Sequence, residues 1–394
     1  MSEFRDAKPS MAGPSVARRS FDQLSALGDA RQVLLSYCRL TKSTPMPVDE
    51  AMGYVTAETV ISPGPVPAEA IALRDGFAVA ALDTVGASAY APAFALTPPQ
   101  WVSCGNQLPQ STDAILPAHA VRETSQPIEI LAQATPGDGV RFSGGDLGTR
   151  IVMIAEGETI KPLHLALFRA TGIATIHVRI PHAAIIIRND LPQGDFIGPA
   201  FRTMAKTLGA SVEILAIDMS DLKILAQTLA AIDTDLIIAI GGTGFGESDC
   251  TASALAQVGS VLVHGIAMHP GETAGFGFVS KSSGSIPVIM APGRLEAAFA
   301  VWLALAKPCL CEMAATTPKA RGETLPLARK ITSNPGVSDI VLLRRASIDG
   351  KTHWEPLASG DLPWHALVRA EAWHIVPPES EGYPAGALLC GEEI

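Results

Sequence analysis

Charged residues are scarce in this sequence. Asp, Glu, Lys and Arg make up 17% of the 394 residues and hydrophobic residues 47%, against roughly 25% charged in ordinary globular chains. Disorder along the whole chain is therefore excluded. The shortage is lopsided, because 29 basic residues face 39 acidic ones and leave a net charge of −10. An acidic surface disfavours non-specific binding to nucleic acid or anionic membranes, yet leaves room for a local basic pocket around a small phosphorylated ligand. Long apolar runs are also missing. The longest, residues 297–306, falls far below the ~18–20 residues that span a bilayer, so no transmembrane helix is expected.

Cysteine is sparse and badly spaced for structural chemistry. Cys38, Cys104, Cys250, Cys309, Cys311 and Cys390 form no C-x-x-C pair, which argues against a disulfide scaffold or a zinc site and fits a reducing cytoplasm. Neither a G-x-S-x-G elbow, an H-E-x-x-H pair nor a catalytic cysteine signature occurs. Near the start, Arg18-Arg19-Ser20-Phe21 resembles part of a twin-arginine export signal, but Asp22 and Gln23 follow and no apolar stretch appears. Residues 1–19 read as a flexible tail.

What is present is turn chemistry and apolar strands. Gly 35 and Pro 30 imply many turns and loop-built sites, and the length suggests two to four domains. Residues 20–40 carry Leu24, Leu27, Val33 and Leu34 at helical spacing, ended by Pro45 and Pro47. Short β-rich stretches at 54–61, 77–81, 114–116 and 128–131 alternate with Pro/Gly turns, as in a small β domain over 45–140. Residues 163–171 predict a helix closed by Gly172, and 175–178 a strand. With 20–44, the segment 141–180 is expected to make a helical domain into which the β-rich piece is inserted.

From 181 to 316 strands and helices alternate. Strands are expected at 183–187, 212–217, 236–240, 261–263 and 288–290, and helices at 197–208, 221–231, 248–257 and 295–306. Unbroken apolar strands between helices predict a parallel sheet buried on both faces, with ligands at the strands' carboxyl ends. Residues 317–394 return to β-like stretches between turns. The fold class is thus α/β plus β in several domains.

The strongest local feature is the buried run 236–240 entering Gly241-Gly242-Thr243-Gly244-Phe245-Gly246-Glu247-Ser248-Asp249. Such glycines let a backbone approach a ligand, and amides at a following helix start favour an anion. The spacing is not G-x-G-x-x-G and no Walker lysine follows, so a dinucleotide site is unsupported and a P-loop nucleoside triphosphatase excluded. Asp249 suits either a Mg²⁺ ligand or a cap of the next helix. Two more turns, Met268-His269-Pro270-Gly271-Glu272 and Ala291-Pro292-Gly293-Arg294, are expected at the same sheet's carboxyl edge. Arg294 suits a phosphate or oxyanion. Asp75 in Leu73-Arg74-Asp75-Gly76, together with Asp113, Asp146, Asp190 and Asp221, is ambiguous when taken alone.

Taken in order, these segments resemble the molybdopterin molybdenumtransferase family, which includes the E domain of gephyrin. Asp75-Gly76-Phe77-Ala78 is similar to its D-G-Y-A, Cys104 through Ile115 to T-G-x-x-L-P-x-G-x-D-A-V, and Gly144-Gly145-Asp146-Leu147 to G-x-D-I. The loop S-G-G-V-S-V-G-E-x-D-Y-T matches Ile240 through Thr251, keeping Gly241, Gly242, Gly246, Glu247, Asp249 and Thr251. A-M-K-P-G-K-P matches Ala267 through Thr273, and L-P-G-N-P matches Ala291 through Leu295. The likeness spans about residues 20–394.

The resemblance implies four domains: a split helical domain, a β-rich insertion, a central α/β pterin-binding domain and a C-terminal β-barrel. It implies a homodimer whose cleft brings Asp75 of one protomer to the glycine loop of the other. The implied reaction places molybdenum from molybdate on adenylylated molybdopterin, with Mg²⁺ and release of AMP. Asp75, Asp146 and Asp249 are then the catalytic candidates. Asp249, Asp190 and Asp221 are the metal candidates, and Gly241, Gly242, Thr243, Gly244, Gly246, His269, Pro270, Gly271, Pro292, Gly293 and Arg294 would line the cofactor site. A molybdoenzyme or a protein of the cofactor pathway is the implied partner. The departures concentrate on the anion site: the family's two lysines are His269 and Glu272, its loop serines are Ile240 and Gly244, and Arg188 and Arg294 are new cations. A carrier or scaffold without catalysis is therefore the competing expectation, with pterin adenylylation a third.

Overall fold

A computed structural model describes residues 24–94, 96–123, 127–190, 195–282, 284–316 and 322–394. The expected tail, residues 1–19, lies outside them. Two compact units emerge. One comprises the described residues up to Thr44 with Gly53–Ala57 and Val178–Ile394, the other Pro45–Met52 with Glu58–His177.

The larger unit is built on a six-stranded sheet in the order Ser211–Ile217, His182–Arg188, Leu236–Ile240, Gly284–Ala291, Gly275–Lys281, Gly259–His264. Its first four strands are parallel. The last two pairings are antiparallel, which puts a mixed edge on the mainly parallel sheet expected. The apolar runs behave as a sheet covered on both faces requires, since successive side chains point to opposite sides. Leu236, Ile238 and Ile240 enter one core with Ala183, Ile185, Ile187, Ile289 and Trp302. Ile237 and Ala239 enter the other with Ala184, Ile186, Val288 and Met290. Each such buried aliphatic side chain contributes about 1.5–3 kcal/mol of transfer free energy.

The connecting helices follow local signals. Asp221 Oδ1 accepts the amides of Lys223 and Ile224 at 2.8 and 3.0 Å and starts the helix Leu222–Ala231. Asp195 Oδ1 does the same for Ile197 and Gly198, at 3.0 and 2.9 Å, ahead of Ile197–Thr207. The segment expected as one helix over 295–306 runs on as Leu295–Val301, a π turn at Trp302–Ala306, and Lys307–Met313.

A seven-stranded sheet completes this unit. Its longest strand, Ser338–Ile348, pairs with Lys351–Ser359 through a tight Asp349-Gly350 turn and with Ala372–Val376. On its parallel side lies Ile266–His269, which pairs in turn with Ser25–Ala26. The helix Leu27–Leu35 adds Leu27, Ala30 and Leu34 to the core that holds Cys309, Leu310 and Met313. The helix Pro162–Ala170 belongs to the other unit. Gly172 ends that helix at φ +75°.

In the smaller unit, Gly76–Val79 lies between Gln100–Val102 and Ala114–Leu116. A Cβ on Gly76 would meet the Leu116 carbonyl oxygen at 2.3 Å, so the Asp-Gly pair is first a packing requirement of this strand. Among the described residues no helix is long and apolar enough to cross a membrane, and the six cysteines are free thiols.

Candidate functional site at the sheet's carboxyl edge

Chain order fixes where the parallel sheet can open. From His182–Arg188 the chain crosses to Ser211–Ile217 on one side, then returns to Leu236–Ile240 on the other. The connections leave in opposite directions, so the topological switch point falls between the carboxyl ends of His182–Arg188 and Leu236–Ile240, where such sheets bind ligands. Arg188 ends one strand and Gly241 follows the other.

The glycine loop is pinned at both ends. The Gly241 amide donates to the Ala291 carbonyl at 2.8 Å. Thr251, fully buried, donates its hydroxyl to the Gly241 carbonyl at 2.7 Å, and its amide donates to Gly242 at 3.0 Å. At the far end, Asp249 Oδ2 accepts the Gly246 amide at 2.8 Å. Between these points run Gly242, Thr243 and Gly244. Thr243 is buried; its hydroxyl meets that of Thr273 at 3.1 Å, and its carbonyl faces His264 Nε2 at 2.9 Å. The helix Thr251–Val258 begins beyond Cys250, so Asp249 braces its own loop and does not cap the helix.

Ala291-Pro292-Gly293-Arg294 lies alongside: a Cβ added to Gly293 would come within 3.5 Å of Gly241 Cα. Arg294 reaches Glu296 through Nε at 3.3 Å and keeps 70% of its side chain in solvent. Arg188 pairs doubly with Asp190, Nε to Oδ1 at 2.9 Å and Nη2 to Oδ2 at 2.7 Å. That hydrogen bond holds the Asp190 carboxyl below the usual carboxylate range. Asp218, at the end of the next strand, accepts the Ser220 amide and hydroxyl at 2.9 and 2.6 Å and is lowered for that reason.

The third expected turn sits elsewhere. His269 ends Ile266–His269, a strand of the seven-stranded sheet, not of the α/β sheet. The missed strand explains the misplacement: Met268 and His269 pair with Ser338 and Asp339, distant in sequence. The turn still reaches the glycine loop, because Thr273 lies within it and meets Thr243. Pro270 follows a cis peptide bond and Gly271 has φ +127°. His269 is flanked by carboxylates, Asp339 at 3.5 Å from Nδ1 and Glu272 at 3.6 Å from Nε2. Asp339 is almost wholly buried, and nothing in its sequence neighbourhood marks it. This surrounding works against seating a dianion on His269.

The expected acidic residues do not assemble into a metal centre. Asp221 is a helix cap, Asp190 is engaged by Arg188, and Asp249 by its loop. Among the described residues no group of three His, Cys, Asp or Glu side chains is placed to hold a metal ion. Mg²⁺ needs no such cage, since one or two carboxylates with waters and substrate phosphates commonly hold it. In the smaller unit, Asp75 Oδ1 accepts the Cys104 amide at 2.7 Å and Asp146 pairs with Arg141 at 3.1 Å. Thr251, which braces the loop, is not marked by its residue type alone, although it stands in the matched loop motif.

Two family models match the chain: "MoeA N-terminal region (domain I and II)" over residues 25–172, and "Probable molybdopterin binding domain" over 191–312. A molybdopterin biosynthesis protein of Methanocaldococcus jannaschii is 26% identical over 373 residues, covering 86% of this chain and 89% of that protein. Molybdopterin molybdenumtransferase 2 of Mycobacterium tuberculosis is 25% identical over 412 residues, covering 93% and 98%. The fold is that of the molybdopterin biosynthesis moeA protein from Pyrococcus horikoshii OT3, with a TM-score of 0.72 at 21% identity over 94% of this chain and 100% of that one.

Proposed function

The chain belongs to the molybdopterin molybdenumtransferase family, and from that premise we propose that it is a transferase of molybdenum cofactor biosynthesis. In this reading it takes molybdenum from molybdate to adenylylated molybdopterin and releases AMP. The observation that carries the reading is the pinned glycine loop at the switch point of the sheet. A loop held at Gly241 and Gly246 presents the intervening amides to an anion without reorganising, which is how preorganised dipoles stabilise phosphate charge.

In the family's scheme Mg²⁺ polarises the phosphoanhydride; no step here is assigned to it. Asp249, Asp75 and Asp146 remain the proposed acidic groups. The resemblance supports a homodimer in which Asp75 is donated by the neighbouring protomer, a cytoplasmic location, and closure of the C-terminal sheet as a barrel. Purified protein given adenylylated molybdopterin and molybdate should release AMP in step with active cofactor, read by activation of a molybdenum-free apoenzyme. Pterin binding without AMP release would sink the transferase reading in favour of a carrier.

A further inference from the structure

A second feature stands beside the glycine loop and is not used by it. Arg294 follows Gly293, where an added Cβ would lie 3.5 Å from Gly241 Cα, and its Nε meets Glu296 Oε1 at 3.3 Å. The other oxygen of Glu296 accepts the indole N–H of Trp364 at 3.4 Å. Trp364 in turn lies 5.6 Å from Phe196, ring centre to ring centre, with the planes 53° apart. Phe196 opens the helix Ile197–Thr207 and is held there by the Asp195 cap. A chain of contacts thus runs from Arg294, in the turn beside the glycine loop, to two aromatic rings.

Both rings face solvent, Trp364 at 56% and Phe196 at 43%. Leaving that much aromatic surface wet forgoes hydrophobic free energy, and such surface marks binding sites. Here it is also held in place. The Trp364 indole is tied at its only donor to a carboxylate that is itself tied to an arginine, so the ring face is presented in one orientation. The angle between the rings makes a V, in which a flat ligand lies on one face and meets the other edge-on. A carboxylate has about four acceptor positions. Two are used here, leaving Glu296, beside Trp364, further positions to accept from ring N–H groups.

The geometry points to Trp364 and Phe196 as the platform that stacks the flat heteroaromatic ring of the substrate while the glycine loop holds its phosphate. This rests on the transferase reading for the location of the phosphate. The chemistry is shared by two parts of that substrate, the pterin and the adenine, and separate probes resolve them.

The test is a titration of the full-length protein, with neopterin in one arm and AMP in the other, in which intrinsic fluorescence reports stacking and isothermal titration calorimetry reports the affinity of every variant. A ring stacked on Trp364 quenches its emission, and Trp364→Phe should abolish that component while keeping affinity within about threefold. Trp364→Ala and Phe196→Ala should each weaken the bound probe by about tenfold or more, the range for loss of one stacking partner. Loss in the neopterin arm assigns the pterin, and loss in the AMP arm assigns the adenine. If neither probe binds the wild-type protein, or both bind Trp364→Ala as tightly as wild type, the platform is refuted. Failure of the transferase reading is a separate result: no AMP release from adenylylated molybdopterin, with quenching by the probes intact.

Discussion

Thr251 Oγ1 lies 2.7 Å from the carbonyl oxygen of Gly241 and joins the start of one helix to the first residue of the loop ten positions earlier. The bond is buried, so its loss leaves a carbonyl without a partner. Thr251→Val keeps the shape and removes the donor. We expect a loss of about 1–3 kcal/mol in unfolding free energy, read by urea denaturation, with a matching fall in AMP release. Thr251→Ser restores the hydroxyl and should recover most of both. Equal stability of the valine and serine variants would show that the bond does not hold the loop.

Gly242 is the loop residue least able to carry a side chain. Its φ is +63°, and a Cβ would come 2.7 Å from Thr251 Oγ1. Gly242→Ala therefore combines left-handed strain with displacement of the Thr251 hydroxyl, at about 1–3 kcal/mol. Since the crowding falls on the same hydroxyl, this substitution should be less costly in a Thr251→Ala background. A double-mutant cycle with strictly additive losses would count against the coupling.

The strand Leu236–Ile240 was legible to the residue, because five apolar residues stand between Asp235 and Gly241 and periodicity needs nothing more. The strand Gly275–Lys281 was not. Gly275 and Gly277 lower its β propensity, yet both are required: their Cβ atoms would meet the carbonyl oxygens of Val263 at 2.5 Å and Ser260 at 2.0 Å. His269 was placed on the wrong sheet for a related reason, since four residues carry little periodic signal and their partner Ser338 is far along the chain. The loops of the candidate site were visible as glycine-rich turns after strands. The Trp364–Phe196 pair was not, because only tertiary structure brings residues so distant together.

Asp221 separates a structural role from a metal-binding one. Both of its recorded bonds come from helix amides onto a single oxygen. Asp221→Ala should cost about 1 kcal/mol, and Asp221→Asn, which keeps the capping oxygen, almost nothing. For a cap alone, the asparagine variant retains wild-type AMP release at every Mg²⁺ concentration. A raised Mg²⁺ requirement in Asp221→Asn, with the melting temperature unchanged, would instead make it a ligand.

His374 ties stability to pH in the C-terminal sheet. Nδ1 donates to the Cys390 carbonyl at 2.9 Å, and Nε2 faces the Tyr383 hydroxyl at 3.4 Å. Burial pushes its pKa below the ordinary 6.5, outweighing the bond to Cys390 and the Glu392 charge, which raise it. The unfolded chain therefore binds the proton first as pH falls. Between about 6.5 and the lower folded value it holds more protons than the native state, so stability declines through that window and is fully present above it. The urea midpoint of the wild-type protein should drop as pH is lowered from about 7 to about 5, while His374→Gln, which cannot titrate, should give a flatter profile. Parallel profiles for the two proteins would show that the slope comes from other groups.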